Sequence, residues 1–143
     1  MIKRIVAAVA VSTVVVSAAV SAIGTVRAAP AGKGQKTETV QLRAMGGSRV
    51  TGTALLTYNG TTTTVKLTVR HLKAMSQHAA HIHTGRCSSP GGILYPFPDV
   101  LAGRNGLGVI RTAFPGTFAS KVWSINVHVS STDLAVIACG NVR

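Results

Sequence analysis

Apolar and polar residues alternate along most of the chain after residue 36. Val40 and Leu42 fall on one face of the stretch TVQLRA, and Val65 and Leu67 fall on one face of TTVKLTVR. A period of two is typical of β-strands that bury one face and expose the other. The pattern therefore predicts a chain built from half-buried strands.

Turn signals divide these stretches at Gly46-Gly47, Asn59-Gly60 and Asn105-Gly106. Asn-Gly pairs suit tight hairpin turns because both residues tolerate a positive φ. No sustained helical period is visible beyond the apolar run at the start of the chain, so the fold class predicted is an all-β sandwich or flattened barrel of about eight strands. The predicted strands cover residues 37–45, 50–58, 62–71, 79–84, 98–102, 107–113, 122–129 and 134–139.

The beginning of the chain has the pattern of a secretory signal peptide. Lys3 and Arg4 precede an apolar run, and small residues around Ala28 offer a cleavage site. An uncleaved membrane anchor is the less favoured alternative, since the run is long enough to span a bilayer. We expect a secreted, periplasmic or cell-envelope protein. The predicted organisation is a signal peptide at 1–28, a flexible linker at 29–36 and one β domain at 37–143.

The chain is strongly basic. Its formal net charge of +12 falls to +9 on cleavage after Ala28, because Lys3, Arg4 and Arg27 leave with the signal. Such a charge attracts small anions and also anionic cell-surface polymers, or it serves solubility alone. No dense basic run or interleaved aromatic residues mark a nucleic-acid surface, so no specific nucleic-acid partner is expected.

The two cysteines, Cys87 and Cys139, most simply form one disulfide in an exported chain. The loop that it closes has about 52 residues, for which the chain-entropy relation gives roughly 4 kcal/mol of stabilisation. Two free thiols are the alternative.

Three of the five histidines fall opposite apolar faces. In AHIHT, His81 and His83 alternate with apolar positions, and His128 does so in INVHV. Two imidazoles at i and i+2, joined by a third from another strand, can bind one metal ion, and imidazole-rich sites favour copper by intrinsic affinity. Zinc is the other metal considered. Ordinary surface histidines are the competing interpretation, which we adopt for His71.

The sequence resembles the Cu,Zn superoxide dismutase family. The resemblance is carried by HAAHIHTGRC at residues 78–87, the later His128 and the closing IACGNV, and it extends over most of the domain. It implies a Greek-key β-barrel, copper ligands at His81, His83 and His128, and a disulfide between the two cysteines. It also implies a supporting histidine at His78, for which a structural hydrogen bond is favoured over metal ligation.

Several departures from the family pattern affect the expected activity. The metal-bridging histidine is replaced by Ile93, the zinc-binding loop is shortened to SSPGGILYPFPDV, and Val136 stands where the family has a superoxide-guiding arginine. No zinc site is therefore expected. Asp99 and Asp133 are interpreted as turn or strand-start residues.

Together these features predict a copper-binding protein that resembles copper-only members of that family. If it is an enzyme, we expect superoxide dismutation of reduced efficiency. The alternatives are a non-catalytic carrier or sensor of copper or haem, and an extracellular β module that binds polyanions.

Overall fold

The structure is a computed structural model that describes residues 34–143. The predicted signal peptide and most of the predicted linker lie outside these residues. The described part contains ten β-strands, and none of its residues belongs to a helix able to cross a membrane. The strands are β1 (Lys36–Ala44), β2 (Thr51–Tyr58), β3 (Thr62–Arg70), β4 (Gln77–His78), β5 (Ala80–Arg86), β6 (Ser89–Pro96), β7 (Val100–Leu101), β8 (Gly108–Pro115), β9 (Trp123–His128) and β10 (Val136–Val142).

Eight strands form one antiparallel sheet in the order β6-β5-β9-β10-β1-β2-β3-β8, and β4 pairs with β7 separately. Strand β1 divides the sheet, because residues 36–42 pair with β2 while residues 43–44 pair with β10. We call β1, β2, β3 and β8 the first half-sheet and β10, β9, β5 and β6 the second. The chain passes between the halves after β3, β6 and β8, so the predicted all-β Greek-key architecture is confirmed.

The two halves share one hydrophobic core. Alternation along β3 buries Val65, Leu67 and Val69 completely or nearly so, and Ile125 and Val127 face the same core from β9. Removal of apolar side chains from water is the main favourable term in folding a domain of this size. The period-two pattern thus determines which face of the second half-sheet packs on the core. The histidines lie on the other face of that half-sheet.

Aromatic side chains join the two edge strands of the sheet. Tyr95 of β6 stacks on Phe114 of β8 with ring centroids 4.3 Å apart, and Trp123 packs edge-on to both rings. The Tyr95 hydroxyl also lies 3.5 Å from the Pro115 carbonyl oxygen. Strands β6 and β8 are the two ends of the sheet and are not paired with each other, so these side-chain contacts close the sandwich between them.

All eight predicted strands are present with shifts of a few residues at their ends, but two strands were missed. Strand β6 lies in the segment interpreted as a shortened loop, since its Pro90, Gly91 and Gly92 are turn-forming residues and no alternation is visible. Its residues are almost all exposed, so apolar and polar residues do not alternate along it. Strand β4 has only two residues, too few for any pattern.

The predicted disulfide between Cys87 and Cys139 is present. It connects the turn between β5 and β6 to β10, two elements 52 residues apart in the chain. Within the described residues no cysteine is free. Neither sulfur is therefore available as a thiolate ligand.

Candidate metal centre

Two neighbouring strands, β5 and β9, carry the three candidate histidines. In their antiparallel register His81 lies opposite Asn126, and His83 lies opposite Ser124. His128 is the last residue of β9, and its backbone N–H donates to the Ala79 carbonyl at 2.9 Å. Because alternate residues of a strand share a face, all three imidazoles fall on the side of the second half-sheet that faces away from the core.

The three imidazoles converge on one point. One ring nitrogen from each of His81, His83 and His128 can be chosen so that all three lie within 4.8 Å of one another. The ring centroids of these histidines are 4.9–5.7 Å apart. Metal–imidazole bonds of about 2 Å place nitrogens about 3.5 Å apart around a trigonal ion, so the spacing of these nitrogens is consistent with metal binding. The predicted meeting of distant strands at one site is confirmed.

Hydrogen bonds to backbone carbonyls determine which nitrogen of two of the rings is free. His128 Nδ1 lies 2.8 Å from the Leu134 oxygen, and His83 Nδ1 lies 3.0 Å from the Gly91 oxygen. A carbonyl oxygen can only accept, so both Nδ1 atoms carry the hydrogen and both Nε2 atoms carry a lone pair. This is the arrangement in which metal-binding histidines are usually held.

The remaining nitrogens face one another. His128 Nε2 lies 3.1 Å from His81 Nδ1, so His81 Nδ1 donates a hydrogen to it when no cation lies between the two rings. His83 Nε2 is buried and has no hydrogen-bond partner. A buried polar atom without a partner destabilises the fold. A metal ion bound by the three nitrogens would give His83 Nε2 the partner that it lacks.

Burial distinguishes the centre from a set of surface histidines. His83 is 9% exposed and His128 is 3% exposed, whereas His81 is only partly buried. The competing interpretation of ordinary surface histidines therefore does not describe His83 and His128. His81 provides the side of the centre that meets solvent.

The hairpin of β5 and β6 lies beside the centre, since Ile93 of β6 is the cross-strand partner of His83. Gly85 has a φ of +82°, and its N–H donates to the Val122 carbonyl at 2.8 Å, which continues the pairing of β5 with β9. A Cβ at Gly91 would lie too close to the Thr84 side chain, so a larger residue at this position, whose carbonyl lies 3.0 Å from His83 Nδ1, would require Thr84 to shift. The disulfide joins the turn between β5 and β6 to β10.

The surroundings of His81 and His128 disfavour the charged form of these two imidazoles, so the pKa of each is lowered. Burial lowers the pKa of His81, the neighbouring His128 and His83 lower it further, and Asp99 opposes them weakly. Burial also lowers the pKa of His128, against the raising effect of its bond to the Leu134 carbonyl. Neutral rings have the free lone pairs that a metal ion needs.

His78, considered as a further ligand, does not join the group. It is buried, its Nδ1 donates to the His128 carbonyl at 2.9 Å, and its Nε2 lies 2.6 Å from the Ser76 hydroxyl. Both ring nitrogens are therefore engaged, and the geometry is that of a structural hydrogen bond. His71 lies on the surface, where its Nδ1 is 3.3 Å from Thr51 Oγ1.

The two aspartates lie in connections beside strands, in agreement with their interpretation as turn or strand-start residues. Asp99 accepts a hydrogen bond from the Gln77 side chain just before β7, and Asp133 accepts one from the Ala135 N–H at 3.0 Å. Neither belongs to the histidine group, which is the one such group of potential ligands among the described residues.

Two groups that orient the histidines were missed by sequence reasoning. They are the carbonyl oxygens of Gly91 and Leu134, and every residue type has the same backbone carbonyl. The glycine itself was the only available signal, because a glycine within an otherwise extended stretch indicates a close backbone approach.

The positions that depart from the superoxide dismutase pattern lie next to the centre. Ile93 of β6 is the cross-strand partner of His83 and is 49% exposed. Val136 is the cross-strand partner of His128 in β10. Hydrocarbon side chains therefore occupy both positions, and neither can carry a proton or a positive charge.

Comparison with known proteins gives one family and a set of similar folds. The model of the CHRD domain family matches residues 16–133. No curated protein matches the chain. A SOD-like protein from Bacillus subtilis is 14% identical with a TM-score of 0.60, and the Cu/Zn superoxide dismutase from Brucella abortus is 19% identical with a TM-score of 0.58. Each match covers 76% of this chain and 100% of the other.

These matches confirm one part of the resemblance seen in the sequence. At such low identity the solved structures show a shared fold and nothing about activity, so the superoxide dismutase-like architecture is established. The family that matches is the CHRD domain rather than superoxide dismutase.

Proposed function

This chain belongs to the CHRD domain family, and from that premise together with its superoxide dismutase-like fold we propose that it is an exported copper-binding protein. His81, His83 and His128 are the ligands, through Nδ1 of the first and Nε2 of the other two. The observation that carries the proposal is the buried, unpartnered Nε2 of His83, in a group whose three ligand nitrogens lie within 4.8 Å of one another.

Copper is favoured by the donor set. The group contains three imidazoles and no carboxylate or thiolate, and imidazole sites bind Cu(II) more tightly than other divalent ions of the first transition row. The structural disulfide supports export, because such bonds persist in oxidising compartments. The signal peptide expected at residues 1–28 would direct that export.

Copper binding is tested by titrating the metal-free protein with Cu(II) and recording electron paramagnetic resonance spectra. The expected result is one specific cupric centre per chain with nitrogen hyperfine structure. The variants His81→Gln and His128→Gln should bind at least roughly 100-fold more weakly, because each removes a ligand. Circular dichroism establishes that the variants are folded.

The matched control is His71→Gln, which removes an exposed imidazole outside the group and should leave the spectrum unchanged. A cupric signal that survives in His81→Gln and His128→Gln would contradict the assignment. Preferential retention of zinc from an equimolar mixture would contradict copper as the metal.

Slow superoxide dismutation is a second candidate, favoured by the partial exposure of His81. Copper held there supplies one-electron exchange with superoxide. Two superoxide ions and two protons yield dioxygen and hydrogen peroxide, and Ile93 offers no proton where the related fold has a histidine. We therefore expect weak turnover in a superoxide-consumption assay of the copper-loaded protein. Binding without turnover leaves the carrier function.

A further inference from the structure

The first half-sheet has an outward face with an unusual composition. We call it the threonine face and define it by the odd-numbered positions of β1, β2 and β8 and the even-numbered positions of β3. Threonine occupies eight of these positions, and four are cationic: Arg43, Lys66, Arg70 and Arg111. No acidic or aromatic residue is among them. The outward positions are exposed or half-exposed throughout.

The cations of this face are arranged in two pairs. Lys66 of β3 lies directly opposite Arg111 of β8, and both line a shallow depression of about 450 Å³. Arg43 and Arg70 line a second depression of about 380 Å³ nearer the other end of the strands. Lys66 and Arg70 are four residues apart on one strand, which separates the two pairs by about 13 Å.

The pairing of Lys66 with Arg111 is unfavourable for the protein alone. Like charges directly opposite on neighbouring strands destabilise a sheet, and this face contains no carboxylate to compensate them. An anion bound between the two side chains would relieve the repulsion and form charge-assisted hydrogen bonds. The arrangement therefore indicates an anionic ligand.

The threonines indicate what lies between the anionic groups of that ligand. The hydroxyls of Thr53 and Thr64 make only long hydrogen bonds within the protein, 3.4 Å to Gln41 and 3.3 Å to the Thr57 carbonyl. Hydroxyl groups that can both donate and accept suit the hydroxyls of a sugar. Since the face has no aromatic side chain on which bases could stack, it is unsuited to single-stranded nucleic acid.

We propose that the threonine face binds an extended acidic polysaccharide, with one anionic group at Lys66 and Arg111, another at Arg43 and Arg70, and sugar hydroxyls on the threonines between them. A chain that reaches both pairs binds more tightly than a short oligomer, because the second contact is intramolecular. This surface is independent of the histidine centre and does not require copper.

The proposal is tested by calorimetric titration of the purified protein with dextran sulfate, using neutral dextran as the uncharged control. The double variant Lys66→Gln/Arg111→Gln should bind dextran sulfate roughly tenfold more weakly, because two charge-assisted contacts are lost. The matched control Arg104→Gln/Lys121→Gln removes the same charge from exposed positions outside the face and should retain wild-type binding within about threefold.

Thermal unfolding separates loss of binding from loss of the fold. Without ligand, Lys66→Gln/Arg111→Gln should unfold at a temperature no lower than wild type, since the substitution removes a repulsion. Equal weakening in both double variants would show attraction by net charge alone and would overturn the proposal. So would absence of binding to dextran sulfate, or equally tight binding of inorganic polyphosphate, double-stranded DNA or anionic lipid vesicles.

Discussion

At the scale of single residues, the candidate metal centre depends on which nitrogen of each ring is already in use. Backbone carbonyls fix Nδ1 of His83 and His128, and the two Nε2 atoms are thereby left to meet His81. His78 acts one step further out, since its ring holds the backbone of His128. Four histidines with similar sequence surroundings therefore have two different roles.

The role assigned to His78 predicts a cost in stability. His78→Ala should lower the free energy of unfolding by about 1–3 kcal/mol, because the buried His128 carbonyl loses its partner. Urea denaturation of the metal-free protein measures this effect. His71→Ala is the matched control and should remain within about 0.5 kcal/mol of wild type, as expected for a surface side chain. Equal effects of the two substitutions would refute the distinction.

At the scale of elements, the β5–β6 hairpin carries both the disulfide and one of the carbonyl groups that orient the histidines. Cys87 is joined to β10, and its N–H also donates to the Asn141 side chain at 2.8 Å. Gly91, four residues later, supplies the carbonyl that orients His83. Strand β6, which the sequence did not reveal, is therefore the element that completes the centre.

The disulfide is expected to contribute substantially to stability. Cys87→Ala/Cys139→Ala should lose about 2–5 kcal/mol of unfolding free energy, because a long loop is no longer closed in the unfolded chain. Denaturant titration measures the loss, and dithiothreitol should reduce the stability of the wild type but not of the variant. A variant as stable as the oxidised wild type would show that the crosslink constrains little.

At the scale of the whole molecule, folding moves two imidazoles into surroundings that disfavour their charged form. The pKa values of His81 and His128 are lowered from the ordinary value of 6.5. Between the folded and unfolded pKa values the unfolded chain binds more protons than the folded one, so stability rises with pH in that window. Well above 6.5 both states are neutral and the effect disappears.

This linkage predicts that the metal-free protein loses stability as the pH falls from about 7 to about 5, a range above the usual titration of carboxyl groups. Urea denaturation at a series of pH values measures the slope. The variant His81→Gln/His128→Gln should show a shallower slope than wild type, and His71→Gln should show the wild-type slope. A wild-type stability that does not change over this range would contradict the shifts.

Much of the fold could be predicted from local pattern. Strands such as β3 bury one face, so apolar and polar residues alternate along their sequence. The exposed β6 and the two-residue β4 carry no such pattern and were missed. For the site, residue types identified His81, His83 and His128, but the burial of His83 and His128 and the carbonyls that orient their rings depend on the tertiary structure.

The sequence by itself determined the all-β class, the faces of the strands and the cysteine pair, because period-two alternation and an exported chain with two cysteines are local or compositional properties. Only the tertiary structure decided that β5 lies beside β9, so that imidazoles 45 residues or more apart in the chain meet. It also decided which ring nitrogens are free. The strand pairing and the choice of free nitrogens depend on strand register and on carbonyl groups common to every residue. Neither can be recognised from residue types.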